Sequence, residues 1–249
     1  MRVLLTVEYD GTAYAGWQRQ ANAPTVQQAV EDALARLTGA RVTLFGASRT
    51  DAGVHALGQR AHFDTQSRIP PEKYAYALNT MLPRDVRVRS SEQVPPEFHA
   101  RFSARGKRYR YQLYCAPHAG ALNRNTHAHV IYPLDAPLMR RELLALPGEH
   151  DFAAFAASAS CVRDTVRTIY RASFEGDGPE YTLFVEGNGF LYNMVRIIAG
   201  TLIDVGAGRL APGAFARALA SKSRLDLGVT APAHGLTLME VFYDKSDRI

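Results

Sequence analysis

The chain has 249 residues, 47% of them hydrophobic, which is enough for one large domain or two ordinary ones and too apolar for disorder by default. Its formal net charge of +5 and pI of about 9.3 suit a polyanionic partner without requiring one. The two cysteines, Cys115 and Cys161, lie far apart and outside any CxxC pair, which argues against a disulfide framework or zinc knuckle and suits a reducing cytosol; no stretch approaches the roughly 20 apolar residues of a membrane span.

Residues 2 to 9 alternate apolar with polar side chains and predict a strand, where a secretory leader would need a longer apolar run. Tyr9-Asp10-Gly11 turns the chain into the segment TAYAGWQRQ. The clearest helix spans Val26 to Leu37. Thr25 and Gln28 form a capping box, Pro24 precedes it and Gly39 ends it. Val26, Ala29, Val30, Ala33, Leu34 and Leu37 share one face, which reads as core packing. Strands are predicted over 41–46, 58–64 and 85–94, with a helix over about 72–81 behind Pro70-Pro71. This βαββαβ order is the pattern of a ferredoxin-like α+β unit.

Residues 103 to 106, Ser-Ala-Arg-Gly, mark a boundary. The expected organisation is an N-terminal α+β domain, 1–104, and a C-terminal α+β domain, 105–249. The second is predicted to carry strands at 107–114, 167–174, 180–186 and 236–243, and helices at 137–146, about 190–205 and 212–221. No low-complexity tract or short-period repeat occurs.

Residues 49 to 56, RTDAGVHA, are the most informative string. Asp51 stands two residues after Arg49 and four before His55, with Ala52 and Gly53 following at once. An acid followed by Ala-Gly favours an exposed turn where backbone can approach a ligand, so Asp51 is placed in a loop with a cation in reach. Residues 101 to 110, RFSARGKRYR, hold five cations and no acid. In a strand, Lys107, Tyr109, Tyr111 and Leu113 would share one face, and Arg108, Arg110 and Gln112 the other. Aromatics interleaved with cations suit RNA; a basic edge strand that discourages aggregation fits the spacing equally well.

Arg196 is the only charged residue between Glu186 and Asp204, inside the apolar run FLYNMVRIIAGTLI. A cation there must reach water or meet a carboxylate, either in an ordinary internal salt bridge or at a site. Gly187-Asn188-Gly189 lacks the third glycine of a dinucleotide-binding turn, where Tyr192 stands. The eight histidines show no metal-ligand spacing; His127 and His129 read as solvated or satisfied locally.

The string GASRTDAGVHALGQ, from Gly46 to Gln59, resembles the catalytic loop of the tRNA pseudouridine synthase A family, which more often has glycine where Ser48 stands. KRYRY and the stretch around Arg196 resemble the family's second and third motifs. EYDGTAYAGWQRQ, FHARFSA, TVRTI and HGLTLMEVFY extend the likeness over nearly the full chain. The resemblance implies isomerisation of uridine to pseudouridine at positions 38, 39 and 40 of the tRNA anticodon arm, with Asp51 as nucleophile. By the same match Tyr109 packs on the target uracil and Arg196 pairs with Asp51. Leu236 borders the base pocket. Arg49, two residues before Asp51, is placed to fill the space of a flipped base or hold a phosphate. The resemblance further implies two α+β domains whose mainly antiparallel sheets meet at a basic cleft, and a homodimer. The isomerisation is redox-neutral and no metal-ligand spacing occurs, so no cofactor or metal is expected, and the loose thiols place the chain in the cytoplasm. The alternative is an RNA-binding module of the same fold without catalysis.

Overall fold

Strand β1 (Arg2–Tyr9) buries Val3, Leu5, Val7 and Tyr9 on one face, following its period of two, and Leu4 on the other. The computed structural model describes residues 1–157 and 164–244. Within it the chain forms two compact units, Met1–Arg105 together with the residues from Thr237 on, and Gly106–Leu236.

In the first unit, helix α1 (Val26–Thr38) follows β1. The Thr25 hydroxyl accepts the Gln28 N–H at 3.4 Å, and Gly39, at φ 73°, closes the other end. Val26, Val30, Ala33 and Leu34 are buried. Strand β2 is only Phe45–Gly46, and the strand expected from residue 41 onward does not form. The physical reason is a competition for backbone groups. The buried Glu31 carboxylate accepts the Leu44 N–H at 3.0 Å, and Gln27 donates to the Leu44 carbonyl at 3.0 Å. These bonds from α1 satisfy the backbone that a longer ladder would have used.

Strand β3 (His55–Asp64) begins earlier than its alternation suggests. Helix α2 (Tyr74–Asn79), behind a 3₁₀ turn at Pro71–Lys73, ends early. There the Thr80 N–H turns back to the Ala77 carbonyl, and the Asn79 amide both donates to and accepts from the Val88 backbone. Strand β4 (Val86–Val94) completes the N-terminal part, with antiparallel order β4-β1-β3 and β2 on β3.

The second unit contains β5 (Gly106–Cys115), β6 (Ala128–Val130), α3 (Ala136–Glu142), β7 (Gly148–Asp151), β8 (Val166–Glu175), β9 (Glu180–Gly187), α4 (Met194–Gly206) and α5 (Ala214–Ser221). Its antiparallel order is β5-β9-β8-β7, with β6 parallel to β5. Helix α4 is buried on nearly every side, which explains its lack of polar periodicity. It starts at Met194 rather than near 190, because Asn193 takes a left-handed φ of 62° immediately before it. The last strand, β10 (Leu236–Phe242), pairs in parallel with β3 through Thr237 and Leu238, which places it with the first unit.

Both units are therefore mixed α+β with mostly antiparallel pairing. Cys115 is a free thiol whose sulfur donates to the Tyr132 carbonyl at 3.0 Å, and Cys161 lies outside the described residues. No helix among the described residues is long and apolar enough to cross a membrane.

Candidate active site

In the first unit Asp51 is half-buried, on the loop that joins β2 to β3. That loop is fixed on both sides of the aspartate. Before it, the Gln59 amide accepts the Ser48 N–H at 3.1 Å and donates to the Ser48 carbonyl at 2.7 Å; Gln59 itself is fully buried. The Thr50 hydroxyl meets the Tyr9 phenol at 2.7 Å, and the Thr50 carbonyl accepts the Trp17 N–H at 3.1 Å. After it, the Val54 N–H returns to the Asp51 carbonyl at 3.1 Å, with Gly53 at φ 77° supplying the turn. Arg49 is exposed, flanked by the buried Ser48 and Thr50, so a rigid backbone presents its side chain to solvent.

The brace behind this loop comes from residues 9 to 17. Trp17 is buried, stacks at a tilt on Tyr9 with ring centroids 5.9 Å apart, and occupies the space where a side chain on Gly46 would stand. Gly16 has φ +93°, and a Cβ there would sit 2.5 Å from the Thr50 carbonyl oxygen. His55 serves the same brace: its Nδ1 lies 3.0 Å from the Gly11 N–H and 3.1 Å from Asp10 Oδ1. A single ring nitrogen serves one of these at a time, accepting from the amide or, where it carries a hydrogen, donating to the carboxylate. Burial works against the charge on Asp10, but hydrogen bonds from Thr12 and the nearby His55 outweigh it and hold its carboxyl below the ordinary range.

Gly16→Ala is therefore expected to lower stability by about 2 kcal/mol or more, from the positive φ and the blocked approach together. It should also reduce turnover in the folded fraction, since a misplacement of about 1 Å costs on the order of 100-fold in rate. Denaturant titration and initial rates on the same preparation check both parts. The pattern rules used on the sequence missed Tyr9, Gly16, Trp17 and Gln59 as supports of Asp51. The single tryptophan of the chain, beside a glycine in a polar segment, was the available signal.

In the second unit, Tyr109, Tyr111 and Leu113 are buried along one face of β5. Tyr109 meets Phe190 edge-on at 5.1 Å. The Tyr111 phenol donates to the Pro232 carbonyl at 2.8 Å, and burial pushes its ionisation up. Arg196 lies in the first turn of α4. Its Nε donates to the Ala231 carbonyl at 2.9 Å and its Nη1 to the Asn193 side chain at 3.0 Å, while its own carbonyl accepts the Ala231 N–H at 3.0 Å. Arg196 and Tyr111 thus hold the segment 231–232 from two sides, just before the buried Leu236. Tyr109, Arg196 and Leu236 belong to the second unit, Arg49 and Asp51 to the first.

The cations of residues 101 to 110 do not form one open patch. Arg108 is taken up by Glu186 at 2.7 Å across the β5–β9 pair, and the buried Arg110 Nε has no hydrogen-bond partner among the described residues. Burial lowers the Arg110 pKa. His127 is satisfied locally by Gln112 and Thr126, each at 2.9 Å, and His129 by the Ala116 carbonyl at 2.7 Å. Among the described residues, no group of three or more His, Cys, Asp or Glu side chains is placed to hold a metal ion.

A family model described as tRNA pseudouridine synthase matches residues 5–103 and 144–244. The chain is 50% identical to the tRNA pseudouridine synthase A of Ruminiclostridium cellulolyticum, covering 97% of this chain and 99% of that one. It is 49% identical to the protein of that name from Acetivibrio thermocellus, again over 97% and 99%. Against the one from Bacillus pumilus the identity is 46%, over 98% of this chain and all of the other.

Proposed function

The chain belongs to the tRNA pseudouridine synthase A family, a family of isomerases that act on tRNA uridine, and from that membership we propose that it converts uridines 38, 39 and 40 of the anticodon stem-loop with Asp51 as nucleophile. The reaction breaks the N1–C1′ glycosidic bond, turns the uracil and rejoins it through C5. It transfers no group from a donor and changes no oxidation state. A carboxylate can form and release a covalent adduct, which suits the chemistry. The observation that carries the reading is the brace around Asp51. Trp17 and Gln59 fix the backbone, and Tyr9 the Thr50 hydroxyl, of a half-exposed loop to which the family motif maps. Such preorganisation is what a catalytic group needs and what an ordinary Asp-Gly turn lacks.

Tyr109 is the proposed stacking partner of the target uracil, and Leu236 an apolar edge of the base pocket. Arg196 is a further proposed substrate-site residue, by the family match. The target base must leave its stack to be reached, and Arg49 is the proposed residue that holds it out. A ferredoxin-like α+β plan for each unit belongs to the same reading. It is supported in the first unit by the chain order β1-α1-β2-β3-α2-β4 and the strand order β4-β1-β3 with β2 on β3. A cytoplasmic homodimer rests on the family relationship alone.

Mapping of pseudouridine in unmodified tRNA treated with the protein tests the proposal. Modification confined to positions 38, 39 and 40 is expected. Modification elsewhere would overturn the target assignment, and tRNA binding without any modification would return the chain to a non-catalytic RNA-binding module. Tyr109→Ala is expected to lose more activity than Tyr109→Phe, because phenylalanine keeps a ring whose stacking is worth about 1–3 kcal/mol per base. Rates are compared under conditions where each variant is folded. Equal and severe losses would assign the work to the phenol as a proton-transfer group instead.

A further inference from the structure

Phe45, His62, His99 and Phe102 form a row of rings in the first unit that the Asp51 loop does not use. Phe45 stacks on His62 at 5.1 Å, His62 meets His99 edge-on at 4.7 Å, and His99 lies against Phe102 at 4.4 Å. The ends of the row are open: Phe45 is 45% exposed and Phe102 76%, while His62 between them is 2% exposed. The exposed Arg101 sets its guanidinium 5.7 Å from the Phe102 ring centre.

The row is rigidly mounted. His99 Nδ1 accepts the N–H groups of Arg101 at 3.1 Å and Phe102 at 3.4 Å, and His62 Nδ1 accepts the Ala100 N–H at 3.1 Å. The Tyr243 phenol donates to the Ala100 carbonyl at 2.8 Å, and Arg2 binds the carbonyls of Pro96 and Phe98 while forking onto Asp64. Both imidazoles are neutral at neutral pH. Burial, then the neighbouring His99 and Arg2, hold His62 down to about 4; burial with Arg2 and Arg101 also lowers His99. The result is an uncharged ring surface with an exposed cation at its rim.

We propose that this row is a second RNA contact, on which an unpaired base of the tRNA stacks at Phe102 while Arg101 meets the adjoining phosphate. A nucleotide presents an apolar π-face beside an anion, which is the complement of this pairing; a duplex hides its base faces and does not fit. Two open rings offer a small fraction of the roughly 1,000 Å² that a stable protein interface buries, which disfavours a second copy of the chain as the occupant. The proposal rests on tRNA being the substrate, and places one contact outside the reacting site.

Equilibrium binding of unmodified tRNA and of a blunt RNA duplex to the full chain tests it, with Phe102→Ala, Phe102→Trp and Arg101→Ala beside the wild type. Phe102→Ala is expected to weaken tRNA binding about 5- to 150-fold, the range of one lost base stack. It should leave duplex binding and the single-turnover rate at saturating tRNA unchanged. Phe102→Trp should restore tRNA affinity, and Arg101→Ala should lower the salt slope of tRNA binding by about one. Should the alanine variant not fold, Phe102→Leu removes the aromatic face in its place. Unchanged tRNA affinity in a folded Phe102→Ala or Phe102→Leu variant overturns the proposal. A lower sedimentation mass with intact tRNA affinity would assign the row to a protein interface instead. Tight tRNA binding by a wild type that makes no pseudouridine would sink the catalytic reading while leaving this one standing, so the two failures are distinguishable.

Discussion

Asp51→Asn is expected to reduce turnover by on the order of 10³-fold or more while the fold and most of the tRNA affinity persist. The amide has the size and nearly the shape of the carboxylate, but it is no nucleophile at neutral pH. Gln59 and Trp17 hold the loop's backbone, and Tyr9 holds the Thr50 hydroxyl, contacts that the substitution leaves in place. Circular dichroism, tRNA binding and single-turnover pseudouridine formation check the three parts. A folded variant that keeps about a tenth of wild-type turnover would remove Asp51 from the nucleophile's role.

Arg49→Ala distinguishes two functions for a cation that reaches the nucleotide on the same loop. Ser48 and Thr50 are buried and Arg49 is exposed between them, so truncation removes a projecting group and leaves its support intact. A simple phosphate contact would weaken binding of every tRNA and lower the salt slope by about one. A residue that holds the flipped state open would change ground-state affinity little and turnover steeply. We expect the second outcome, with a larger defect at a paired stem uridine than at a loop uridine. The stem site carries an unpairing cost of roughly a few kcal/mol that the loop site does not bear. Equal turnover losses at both sites, matched by a similar loss of affinity, would return Arg49 to phosphate binding.

The candidate loop was legible in the sequence because its chemistry is local. An acid, a flanking cation and two small residues occupy adjacent positions, and one string carries both the turn signal and the family likeness. Its support was not legible, because no periodicity links Trp17 to Thr50 or Gln59 to Ser48. The basic string at 101–110 shows the opposite failure. Five cations in ten residues read as one feature, yet Arg108 is neutralised by Glu186, 78 positions away, and Arg110 is half-buried with its pKa lowered by burial. Arg101 is exposed, with its guanidinium beside the Phe102 ring. Linear charge density says which residues are available, and pairing decides which of them meet solvent.

By itself the sequence determined the α+β class, the place and caps of α1, and the strands β1, β4, β5, β8 and β9. Each of these is set by side-chain period and end signals within a dozen residues. It also determined the family, through strings spread over nearly the whole chain. Tertiary structure decided what depends on partners far along the chain. Residues 41–44 carry a strand pattern, but Glu31 and Gln27 take the Leu44 backbone groups, so only Phe45 and Gly46 pair. Helix α4 begins at Met194 because Asn193 turns left-handed beneath a segment that Arg196 ties to Ala231. The last strand reads as a continuation of the second half and instead runs parallel to β3 in the first unit. A backbone hydrogen bond is satisfied by whichever donor or acceptor the fold brings within about 3 Å, and neither pattern nor propensity records which one that is.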